Sequence, residues 1–128
     1  MATTVTNVSI AAMNTATAAA GTAATSTTNA EAEVFTITPT KGVDKMLVVI
    51  HLVGEATAAT IAWSFAAGDF WAGAAISGTA AEKTSTAIEV ETAKVMQDDG
   101  TIALTLTPGA SDSLATVHGA YVQVFELL

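Results

Sequence analysis

The 128-residue chain contains no cysteine and, since its four basic residues are all lysine, no arginine. Without cysteine there are no disulfides, no thiolate zinc sites and no cysteine nucleophile, and either redox environment suits the chain. Twelve acidic residues against four lysines give a formal net charge of −8. Such a chain is poorly equipped to neutralise phosphates, which argues against nucleic acid and anionic membranes as partners. No run approaches the roughly 20 apolar residues of a membrane-spanning helix. Charged residues make up only 12% of the chain, and aromatics 5%. The hydrophobic fraction is 51%, but 28 of those residues are alanine. The larger apolar side chains suffice for one modest core, in keeping with one domain of roughly 100–150 residues.

No Lys or Arg precedes Lys41, and Thr and Asn interrupt every early apolar run. Neither the positive nor the compact apolar region of a signal peptide is present, so Met1 reads as the start of a cytosolic product. Residues 1–10 carry strand-like content in Val5, Val8 and Ile10 without a clean period. Residues 11–30 are almost wholly Ala, Thr, Ser, Asn and Gly. Thr17, Gly21, Thr22, Thr25, Thr27 and Thr28 oppose the helix that the alanines would allow. The expectation is an extended N-terminal arm over residues 1–30, ahead of a body formed by residues 31–128, with the arm held either by a neighbouring subunit or along its own domain.

From residue 31 the pattern has period two. Phe35 and Ile37 share one face of a strand, and Pro39 and Gly42 mark a turn. Lys45–Val53 is a near-continuous apolar run, the signature of a central strand covered on both faces. Gly54 ends it. Ile61, Trp63 and Phe65 then alternate, and residues 66–83 read as a long Gly/Ala loop. Ser85–Glu91 is a strand, Ala93–Gln97 a short further one, and Asp98-Asp99-Gly100 a turn. Ile102, Leu104 and Leu106 alternate with Thr and Ala up to Pro108-Gly109. The last strand runs from His118 to Leu127. Short strands at this spacing predict an all-β fold, an antiparallel β-sandwich or jelly-roll-like single domain.

The catalytic inventory is thin. The two histidines are His51, in a strand where a hydrogen-bonded or rim position is the natural reading, and His118, expected at the surface. No G-x-S-x-G elbow and no phosphate loop occurs. Glu89 and Glu91 share a strand face, where solvated carboxylates explain them better than a glycosidase pair does. Asp98-Asp99-Gly100 lacks the spacing of a calcium loop. No catalytic, cofactor or metal residue is assigned. Phe70-Trp71 is the suggestive pair: adjacent aromatics on an extended loop point to opposite sides, so one can anchor the loop and the other meet a partner.

The whole chain resembles the small β-sandwich structural proteins of tailed bacteriophages, of the head decoration or minor capsid type. The resemblance rests on the Thr/Ala-rich start (MATTVTNVSIAAMNTATAAAGTAAT), the D-G strand (DDGTIALTLT), the polar turn (PGASDS) and the final A-Y-V-Q-V-F-E strand. Departures are the 66–83 insertion and the lack of arginine. The resemblance implies a non-enzymatic virion protein that binds the major capsid protein or another shell protein on the outside of the head. It also implies a homo-oligomer, often a trimer, with no cofactor. The partner-binding residues expected on this reading are Val5, Val8, Ile10 and Met13 in the arm, and Phe70 and Trp71 in the loop. Two alternatives are a carbohydrate-binding or adhesive jelly-roll module with Trp71, Trp63 or Tyr121 as its sugar platform, and a filament subunit that donates its arm as a strand.

Overall fold

The computed structural model describes residues 4–11, 21–40, 44–54, 60–70 and 73–127. Its strands are β1 (Thr4–Asn7), β2 (Ile10–Ala11), β3 (Thr22–Ala23), β4 (Glu33–Ile37), β5 (Lys45–Leu52), β6 (Thr60–Phe65), β7 (Ile76–Ala81), β8 (Ser85–Glu91), β9 (Ile102–Thr107) and β10 (Ala120–Leu127). One helical turn, α1 (Thr92–Val95), replaces the short strand expected after Ser85–Glu91. The first sheet has the order β1-β4-β9-β6-β7, the second β2-β10-β5-β8, and β3 also pairs with β10. This is the all-β sandwich that the alternation predicts.

Period-two patterning sends one side chain in two inward. Phe35, Ile37, Ile61, Phe65, Ile102, Leu104 and Leu106 from the first sheet meet Met46, Val48, Ile50, Leu52, Val122 and Val124 from the second. Trp63 stacks edge-to-face on Phe65 with ring centroids 6.0 Å apart. Its indole lies against Gly78 of β7, where a Cβ would come within 2.6 Å of the ring. β7 lies within the segment expected to be a loop. Its sequence, ISGTAA, has little strand signal because the core needs a residue without a side chain opposite Trp63.

Of the two placements open to the leader, its described residues show the one along its own domain. β1 lies parallel to β4, with Val5 opposite Val34, and β2 lies parallel to β10, with Ile10 opposite Val124. After residues 12–20, β3 runs antiparallel to β10. Gly21 adopts φ +85°, and a Cβ there would come 2.4 Å from the Val122 carbonyl. The described leader thus crosses from the edge of one sheet to the edge of the other, along its own body. The expected antiparallel sandwich acquires two parallel pairings in this way.

Glu33 secures the crossing. It is fully buried at the start of β4. Its carboxylate accepts hydrogen bonds from the Thr6 hydroxyl at 2.6 Å and from the backbone N–H groups of Thr25 and Ser26 at 3.0 and 2.8 Å. A buried carboxylate is tolerated when its oxygens are satisfied in this manner.

His118 also departs from expectation. It is fully buried, with Nδ1 2.9 Å from Glu82 Oε2 and Nε2 3.6 Å from Asp112 Oδ2. Glu82 sits in the β7–β8 turn, so this contact ties that turn to the loop preceding β10.

Candidate assembly surface

The loop between β6 and β7 is pinned by its backbone. Gly68 N–H donates to the Lys94 carbonyl at 2.8 Å, Asp69 N–H to Met96 at 3.0 Å, and Ala74 N–H to Lys94 at 2.9 Å. Gly73 N–H donates to the Phe70 carbonyl at 2.8 Å. The Asp69 carboxylate accepts the N–H of Asp98 at 2.9 Å, and the Gln97 side-chain amide donates to the Ala67 carbonyl at 2.9 Å. Glycine is required at two of these positions. A Cβ on Gly68 would meet the Met96 carbonyl at 2.7 Å, and one on Gly73 the Gly68 carbonyl at 2.0 Å.

On this pinned loop Phe70 is 54% exposed. Holding an aromatic ring in water on an ordered loop gives no folding benefit, whereas it lowers the entropy cost of inserting that ring into a partner. The segment around α1 that holds the loop is itself set by the Asp98-Asp99-Gly100 turn. There the Asp99 carboxylate accepts from the Thr101 hydroxyl at 2.7 Å and the Thr101 N–H at 3.0 Å. These bonds hold the Asp99 carboxyl below its ordinary range.

Of the expected partner-binding residues in the leader, Val5 is 65% exposed on the outward side of β1. Val8 and Ile10 are half-buried and pack against the core of their own domain. Met13 and Trp71 lie outside the described residues. The leader's first turn is held by Glu31, which accepts hydrogen bonds from the Ser26 hydroxyl and, at 2.7 Å, from the Thr4 hydroxyl. These two bonds, Ser26 first, hold the Glu31 carboxyl below its ordinary range.

His51 is hydrogen-bonded across the outward face of the second sheet, Nδ1 to Ser85 Oγ at 2.7 Å and Nε2 to Gln123 Oε1 at 3.1 Å. Gln123 Oε1 can only accept, so Nε2 carries a proton. The described residues contain no group of three or more His, Asp or Glu side chains arranged to hold a metal ion. His118 contacts its two carboxylates through opposite ring nitrogens, so the three side chains do not converge on one point.

No protein-family model, curated protein or solved structure matches this chain.

The second sheet also carries apolar residues on its outward face. Leu47 and Val49 on β5, and Tyr121, Phe125 and Leu127 on β10, are half-buried and stand outside the core cluster. The near-continuous Lys45–Val53 run carries this signal. It implies cover on both faces, but the core supplies cover for one.

Proposed function

We propose that this is a non-enzymatic structural protein of a virion, a capsid decoration protein that binds the outside of an assembled phage head and stabilises it. The observation that carries the reading is Phe70, an exposed aromatic side chain on a loop fixed by backbone hydrogen bonds and obligatory glycines. Reinforcement of a shell needs a rigid body with preorganised contacts. A closed sandwich whose leader is bound into both sheets provides the rigidity, and the −8 charge keeps free subunits apart before they dock. On this reading the protein is made in the host cytoplasm and resides on the capsid surface, with the major capsid protein or another shell protein as partner. The trimeric state belongs to the same proposal and is read from the sedimentation of the free protein.

The test adds purified protein to heads that lack it. Saturable binding at a fixed copy number, with a rise in the temperature at which heads rupture, is the expected result. Heads that bind none of it count against the proposal. A carbohydrate-binding module is the second reading, favoured by the same exposed ring, which could stack on a sugar. Glycan binding that is lost in Phe70→Ala would select it.

A further inference from the structure

We propose that the outward face of the second sheet is the docking face. Its occupant is a surface of the shell protein that presents an apolar strip beside Lys or Arg side chains. This inference rests on the decoration reading and names the part of the molecule that touches the shell.

The two outward faces of the sandwich differ in kind. On the first sheet the outward positions of β6, β7 and β9 are all Ala, Ser or Thr, and larger apolar side chains stand outward only at the β1–β4 edge, as Val5 and Val34. The small side chains suit contact with water. On the second sheet, Phe125 and Leu47 sit side by side in register, Leu127 is the next outward residue on β10, and Val49 the next on β5. Beyond this patch the face turns polar at Gln123 and His51, with Tyr121 on the far side of Gln123. Large apolar side chains at consecutive outward positions of two adjacent central strands mark a face that another surface covers.

Charge selects the occupant. At the Leu127 end of this face, Asp44, Lys45, Glu89, Glu91, Thr92 and Ala93 line a cleft of about 440 Å³. Three carboxylates share it with one ammonium, and that ammonium, on Lys45, is 3.6 Å from Glu89. An apolar strip ending in an acidic cleft complements an apolar strip flanked by cations. A second copy of this chain is a poor match, since it would bring twelve acidic residues and only four lysines to a surface that is already acidic. Thr92 and Ala93 line the cleft, and the Lys94 and Met96 carbonyls of the same segment accept the backbone bonds that hold the Phe70 loop.

The test measures binding of the purified full-length chain to heads lacking it, at two salt concentrations. The variants are Leu47→Thr/Phe125→Thr on the apolar strip and Glu91→Lys in the cleft, with Thr105→Ser on the opposite face as control. Thermal melting is checked for each. The expected result is binding at least about tenfold weaker for the strip variant and for Glu91→Lys, and unchanged for Thr105→Ser. Wild-type binding should also weaken as salt rises. Wild-type binding with both docking variants as tight as wild type overturns this inference and leaves the decoration reading standing. Loss of self-association in the strip variant, with head binding intact, assigns the face to a second copy and also overturns it. Wild-type protein that does not bind heads overturns the decoration reading and this inference with it.

Discussion

The hydroxyl of Thr6 donates a 2.6 Å hydrogen bond to the fully buried carboxylate of Glu33. Through it the leader's first strand is fastened to the strand that opens the body. The same carboxylate takes the N–H groups of Thr25 and Ser26, so one side chain holds both stretches of the leader.

Replacing Glu33 by leucine leaves those N–H groups without their acceptor. The expected loss is about 2–5 kcal/mol, from roughly 1–3 kcal/mol per buried unsatisfied group. Deleting residues 1–30 removes every partner of the carboxylate and uncovers the edges of β4 and β10, so the truncated chain is expected to lose cooperative unfolding. Urea titrations followed by tryptophan fluorescence check both. An unchanged midpoint for the truncated chain would show that the leader is dispensable for folding.

His118 and Glu82 form a pair with side chains 0% and 5% exposed. Removing one partner of this hydrogen bond costs about 1–3 kcal/mol, because the other is left buried and unsatisfied. His118→Leu should therefore destabilise, and His118→Leu combined with Glu82→Leu should recover much of the loss. A double variant whose loss equals the sum of the two single ones would mean that the side chains act independently.

Glu31 and Asp99 both have carboxyls held below their ordinary values of 4.5 and 3.8 by hydroxyl donors. A depressed carboxyl contributes stability above its unfolded value and loses it as pH falls through the lower folded value. Melting temperature should hold steady from neutral pH down to about 5 as far as these two groups are concerned, then fall on further acidification. Glu31→Gln and Asp99→Asn should flatten that acid limb. Melts recorded between pH 2.5 and 7 decide it.

Phe70→Ser should leave stability within about 0.5 kcal/mol, as exposed substitutions do, while weakening head binding. Gly73→Ala places a Cβ 2.0 Å from the Gly68 carbonyl and should displace the loop while the core stays intact. Limited chymotrypsin digestion, cutting faster at Phe70 in Gly73→Ala than in wild type, reads out that displacement.

Strands with strict alternation were legible. β4, β9 and β10 follow from Phe35/Ile37, from Ile102/Leu104/Leu106 and from the last nine residues, because a half-buried strand imprints period two on its sequence. Elements whose reason lies across the fold were not legible. β7 contains Gly78 to accommodate Trp63, which is a tertiary demand. The leader strands are two to four residues long and are fixed by partners such as Glu33 and Val124 that are distant in sequence. His118 is buried because Glu82 meets it from 36 residues away. For the candidate surface, Phe70 stood out as an aromatic in a Gly/Ala stretch. The acidic cleft did not, since Asp44 and Glu91 meet only when β5 and β8 pair.

The placement of β2 beside β10 has a mechanical consequence. These strands belong to opposite ends of the chain and run in the same direction. Tension applied between the two termini therefore acts along the strand axes, and the cross-links between them bear it together rather than peeling one at a time.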